Sequence, residues 1–152
     1  MLVVRNAQQA DHVRIRNIVL TSLSDFGIEV EFDGLDAAIG SAGLADTKNA
    51  IELVAEFDGH ICGCIALEAM HDQQGKVFGF HVDKGLRGKG IGRALMVQLV
   101  ERAKQCDLKI LHLDTWDTMY SAVRLYTSLG WVAAPDPLPE SGANRSFRLE
   151  IG

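Results

Sequence analysis

The sequence predicts an α/β domain of the α+β kind, a mixed and mostly antiparallel central sheet flanked by helices. Three observations carry this. Residues 51–57 and 60–70 form two apolar runs joined by Asp58-Gly59, a dipeptide suited to the positive φ angles of a tight hairpin turn. A third strand-like run, "KVFGFHV" at 76–82, extends the meander after the polar break "HDQQG". The apolar period then changes from two to about 3.6, so a long helix follows the third strand.

The elements follow in order along the chain. "LVVRN" at 2–6 reads as a first strand, and residues 11–23 carry Ile15, Ile18, Val19 and Ser22 at helical spacing, stopping at Phe26-Gly27. The acidic stretch 29–43 contains a short helix at about 35–39. After the meander, Leu95, Met96, Leu99, Ala103 and Cys106 share one face of a helix over 88–105, with Arg93, Gln98, Glu101, Lys104 and Gln105 opposite. "KILHLDTW" at 109–116 is the next strand. A helix over about 118–129 follows, with Asp117 or Thr118 as N-cap, Met119, Ala122, Val123 and Tyr126 inward, and Gly130 as its stop. All three prolines fall between 135 and 139, in a loop that "RSFRLEI" at 145–151 closes as the last strand.

Composition sets the broad class. The 152 residues suffice for one domain over the whole of 1–152, and 47% apolar with 23% charged residues is the mixture of a self-folding globular chain. No apolar run reaches the length of a membrane span, and the opening residues become polar too soon for a signal peptide, so a cytoplasmic protein without a membrane partner is expected. The net charge of −5 is opposite to that of a nucleic-acid binder. Three cysteines are an odd number, and Cys62 and Cys64 lie in an apolar strand, so buried thiols are expected rather than disulfides. The five histidines are scattered singly, and no metal is expected. From 17 to 47 there is no Lys or Arg while Asp and Glu accumulate, which suits either a cationic ligand or a solvated acidic loop.

One stretch carries chemistry. "RGKGIG" at 87–92 joins a strand to a helix, so free backbone N–H groups gather at a helix N-terminus, an anion site. Glycines at 88, 90 and 92 let a phosphate approach the backbone, and Arg87, Lys89 and Arg93 add charge at the rim. The spelling is not a Walker P-loop, because Gly90 rather than Ser or Thr follows Lys89. It is not the dinucleotide G-x-G-x-x-G either, because the final position falls on Arg93 or Leu95, and the strand before it belongs to an antiparallel meander.

The segment resembles the acetyl-CoA motif Q/R-x-x-G-x-G/A of the GNAT N-acetyltransferase superfamily at Arg87, Gly90 and Gly92. The later helix resembles the family's A-x-x-L-Y-x-x-x-G-F signature at Ala122, Leu125, Tyr126, Gly130 and Trp131, and the element order βααβββαβαββ is similar to that of the family over nearly the whole chain.

The resemblance implies an acyltransferase with acetyl-CoA as co-substrate. Phe80, His81 and Val82 would give main-chain contacts to the pantetheine, and Arg87, Gly88, Lys89, Gly90, Ile91, Gly92 and Arg93 would hold the pyrophosphate. It implies direct attack of a neutral amine on the thioester, with Tyr126 as general acid toward the departing thiolate. The family's usual carboxylate at the start of the fourth strand is Lys76 here, which leaves Glu68, Asp114 and His81 as alternative bases. The family's common proline before the glycine turn is Lys84, and the asparagine near the start of the last helix is Met119. The implied acceptor is an amine of a small molecule or of a peptide. A homodimer is a further expectation from the family. The alternative reading is a CoA-binding module with little or no transferase activity.

Overall fold

The structure is a computed structural model and describes residues 1–30, 32, 37–44, 49–86, 88–116, 118–135 and 143–152. The strands are β1 (Leu2–Asn6), β2 (Ile51–Phe57), β3 (His60–Ala69), β4 (Gln74–Val82), β5 (Ile110–Thr115), β6 (Val132–Ala133) and β7 (Arg145–Glu150). The helices are α1 (His12–Asp25), α2 (Ala37–Gly40), α3 (Ile91–Gln105) and α4 (Tyr120–Ser128). Among the described residues the strands form a seven-stranded sheet in the order β1-β2-β3-β4-β5-β7-β6. Every neighbouring pair is antiparallel except β4 and β5.

The alternation of each strand decides which helix covers which face. Leu53, Ile65, Leu67, Val77, Leu111 and Phe147 point to the side covered by α3 and α4, and pack with Leu95, Met96, Leu99 and Tyr126. Val54, Cys64 and Ala66 point to the other side, under Ile15, Ile18, Val19 and Leu23 of α1 and Ile39 of α2. The inward residues expected for α1, Ser22 included, are all buried.

Two features of β4 position the site. Its pairing with β5 covers only Gln74–Lys76 against 110–112, after which the two strands continue without shared register. Its pairing with β3 shifts between Cys64 and Ala66, opposite Gly79, whose φ is +63°. This bulge turns the second half of β4 away from β5. A Cβ at Gly79 would lie 2.4 Å from Ile39 Cδ1, so α2 closes directly on the bulge.

The hairpin at Asp58-Gly59 has φ of 51° and 85°, as the dipeptide requires. The expected helix over 88–105 starts later, at Ile91: Gly88 and Gly90 have φ of +84° and +80°, and Gly90 is the N-cap. Cys106 lies past its end and is exposed, whereas Cys62 and Cys64 are buried thiols. The final helix starts at Tyr120 with Met119 as N-cap, not Thr118; Asp117 lies outside the described residues. The short helix expected at 35–39 is Ala37–Gly40, and Leu35 and Asp36 lie outside the described residues, as do Pro137 and Pro139 of the proline loop. No helix of the described residues is long and apolar enough to cross a membrane.

Candidate active site

A cleft of about 480 Å³ lies where the end of β4, the glycine turn and the start of α4 meet. Phe80, His81 and Val82 line one wall, and Gly88, Gly90, Ile91, Gly92 and Arg93 another. Helix geometry leaves the first N–H groups of α3 without partners in the helix, and the ladder starts with the Ala94 N–H donating to the Gly90 carbonyl at 3.0 Å. A Cβ at Gly88 or Gly90 would meet no protein atom within 4 Å, so these two glycines answer to their positive φ and to the open space above them. Gly92 is constrained by contact, since a Cβ there would lie 3.1 Å from Phe80 Cζ. The Ile91 side chain is core, which leaves its main chain for the cleft.

The charges expected at the rim divide. Arg93 lines the cleft and donates to Ser128 Oγ at 3.1 Å. Lys89 does not line it: its ammonium sits 5.8 Å from the Phe57 ring centre, so its charge is directed to that ring instead. Arg87 lies outside the described residues.

A smaller cavity of about 140 Å³ lies where β4 and β5 separate, walled by Gly79, Asp114, Thr115 and Tyr126 among others. It shares Phe80, His81, Met119 and Ala122 with the larger cleft, so the two adjoin across the split in the sheet.

Of the four sequence candidates for proton transfer, three face this smaller cavity. Tyr126 is 4% exposed, with its ring centre 6.0 Å from Phe80, 6.1 Å from Trp131 and 5.8 Å from Phe147. Burial pushes its hydroxyl pKa up, which fixes the protonated form. His81 lines both cavities, and its Nδ1 lies 2.9 Å from Ser22 Oγ. Asp114 accepts from Ser146 Oγ at 2.9 Å and lies 3.3 Å from Lys76 Nζ. Glu68 is not brought in: it is exposed on β3, opposite Lys76 in register, and lines neither cavity. Glu68 lies near the end of β3, in register with the paired first half of β4 rather than with the half beyond the bulge.

Sequence reasoning missed the roles of Gly79 and Ile39. A single glycine inside a strand pattern signals a bulge or a close backbone approach, and both occur here. Ile39 had no such signal, because it arrives through a long connection.

The split sheet, the glycine turn at a helix start and the buried tyrosine meet around two adjoining cavities of a mixed α/β domain. The match to the family described as "Acetyltransferase (GNAT) family" runs over residues 17–131, and the chain belongs to that family. It is similar to the "Amino-acid acetyltransferase" of Mycobacterium tuberculosis, at 25% identity over 84% of this chain and 69% of that protein. It is similar to the "Probable N-acetyltransferase camello" of Xenopus laevis, at 23% identity over 75% of this chain; the match spans 56% of that relative's length. Among solved structures, a GNAT-family acetyltransferase of Staphylococcus aureus superimposes with a TM-score of 0.87 at 17% identity, over 100% of both chains. The yncA protein of Salmonella typhimurium, solved with its cofactor acetyl-CoA, gives 0.74 at 18% identity over 100% of this chain and 95% of that one.

Proposed function

We propose that this chain transfers an acetyl group from acetyl-CoA to a primary amine. The observation that carries the reading is that the split between β4 and β5 opens beside the cleft that holds the glycine turn. The pyrophosphate takes the free amides at the start of α3, where the helix dipole favours negative charge. The pantetheine runs along Phe80, His81 and Val82, and its thioester reaches the split. Acetyl-CoA bound by the yncA protein supports this choice of donor.

In the reaction the neutral amine attacks the thioester carbonyl carbon. A C–N bond forms, the C–S bond breaks, and the leaving sulfur takes a proton from the Tyr126 hydroxyl. The amine nitrogen gives up its proton on the acceptor side, where Asp114 faces the cavity and His81 is the alternative. Tyr126 holds its proton at neutral pH, as any tyrosine does, and its place on the wall of the smaller cavity puts it beside the split.

Asp114 being tied by Lys76 favours a second reading, a CoA-binding module with little turnover. Release of CoA thiol from acetyl-CoA, with and without an amine panel, separates the two. Amine-dependent release supports transfer; stabilisation by acetyl-CoA with no release from any amine leaves only the module.

A further inference from the structure

The smaller cavity has a shape and a charge that select among amines, and the selection rests on the acetyl-transfer reading above. We infer that the acceptor is a primary monoamine bearing one apolar group of about the size of a phenyl ring, its nitrogen toward Asp114 and its apolar part against Leu23, Ile39, Phe78, Trp116 and Met119.

Size comes first. The cavity measures about 140 Å³, and an apolar cavity of about 150 Å³ is known to bind benzene. The acetyl group enters the same space from the larger cleft through the residues the two cavities share, so a phenyl ring is the upper limit for the acceptor's apolar group. The position agrees, because Leu23 and Ile39 belong to α1 and α2, which cover the opposite sheet face from α3 and its glycine turn.

Charge decides the rest. Among the described residues, Asp114 is the one carboxylate on the lining and no Lys or Arg lies on it. An amino-acid carboxylate would sit beside Asp114 with no Lys or Arg among the described residues of the wall to receive it, and the one imidazole there, His81, is held by Ser22 Oγ at 2.9 Å. Lys76 already offsets the charge of Asp114 from outside the lining, so a further ammonium of a polyamine would enter an apolar space uncompensated. The same offset favours the neutral amine, which is the nucleophilic form. Asp114 still has acceptor capacity for an N–H, since a carboxylate offers about four lone-pair positions and the two oxygens have one close partner each.

The test compares kcat/KM for 2-phenylethylamine, ethylamine, spermidine and L-phenylalanine at fixed acetyl-CoA, alongside the melting shift that acetyl-CoA produces. The chain of residues 1–152 is used. Burial of the ring predicts a preference for 2-phenylethylamine over ethylamine of at least about tenfold, and over spermidine and phenylalanine by a similar margin. Phe78→Ala removes one wall and should reduce the phenylethylamine-to-ethylamine ratio while keeping the acetyl-CoA melting shift. Preference for spermidine or phenylalanine overturns the inference, as does an unchanged ratio in Phe78→Ala. Faster use of hexanoyl-CoA than of acetyl-CoA with ethylamine also overturns it, because the cavity would then belong to the acyl chain. A melting shift with no turnover of any of the four amines ends the inference and leaves the donor site standing; no melting shift ends both.

Discussion

Lys76 Nζ lies 3.3 Å from Asp114 Oδ2, a bridge between β4 and β5 at the point where their shared register ends. The Lys76 side chain is 40% exposed and Asp114 19%, so screening by water keeps the energetic contribution of the pair small. Its effect is to hold the Asp114 carboxylate at the edge of the cavity, together with the Ser146 hydroxyl. Lys76→Gln should therefore change unfolding free energy by less than about 1 kcal/mol. Asp114→Asn should fold and bind acetyl-CoA as the wild type does, yet lose amine turnover by roughly tenfold or more. Wild-type turnover in Asp114→Asn would remove Asp114 from the mechanism.

Gly79 is required twice, by its φ of +63° and by the approach of Ile39 to within 2.4 Å of where a Cβ would stand. Gly79→Ala combines a left-handed conformation with displacement of a core side chain, and should cost roughly 2 to 4 kcal/mol in chemical denaturation. A cost under half a kcal/mol would mean that the bulge and α2 adjust freely.

Tyr126→Phe keeps the aromatic packing and removes the proton. Turnover should fall on the order of 100-fold with little change in acetyl-CoA affinity. Because burial raises the pKa of Tyr126 above the ordinary value of about 10, its ionisation should produce no alkaline limb in kcat/KM below about pH 10. An alkaline limb below that pH that disappears in Tyr126→Phe would identify Tyr126 as the acid but contradict the rise in its pKa; wild-type turnover in Tyr126→Phe would remove it from the mechanism.

Away from the cavities, the Arg5 guanidinium donates to both oxygens of Asp11, at 2.7 and 3.0 Å, and Asp11 also accepts from the Gln8 N–H at 2.8 Å. The hydrogen bond from Arg5 holds the Asp11 carboxyl below its usual range. A depressed carboxyl adds stability above the unfolded value near pH 3.9 and loses it as pH falls through the folded value. Arg5→Met should thus cost about 1 to 3 kcal/mol at pH 7 and less in strong acid. An equal loss at pH 7 and below pH 3 would assign the cost to packing rather than to the ion pair.

The parts of this fold that local chemistry determines were legible in the sequence. Asp58-Gly59 announced its hairpin, the spacing of Leu95, Met96, Leu99 and Ala103 announced α3, and the glycines at 88, 90 and 92 announced an anion site. Legibility ended where long-range contacts decide. The charge of Lys89 turns to Phe57, a residue about thirty positions earlier, and no local pattern specifies that. Glu68 and Asp114 looked equivalent as carboxylates on strands, yet only Asp114 follows the strand split and meets the cavity. α3 starts later than its apolar period implies, because that period does not register that Gly88 and Gly90 take positive φ.

The central claim is that the cleft built by β4 and the glycine turn takes acetyl-CoA. The most direct measurement is the melting temperature with and without that ligand. At about 100 times the dissociation constant, binding should stabilise the fold by roughly 2.7 kcal/mol, which for a domain of this size raises the melting temperature by about 5 to 10 °C. An unchanged melting temperature at millimolar acetyl-CoA would contradict the account.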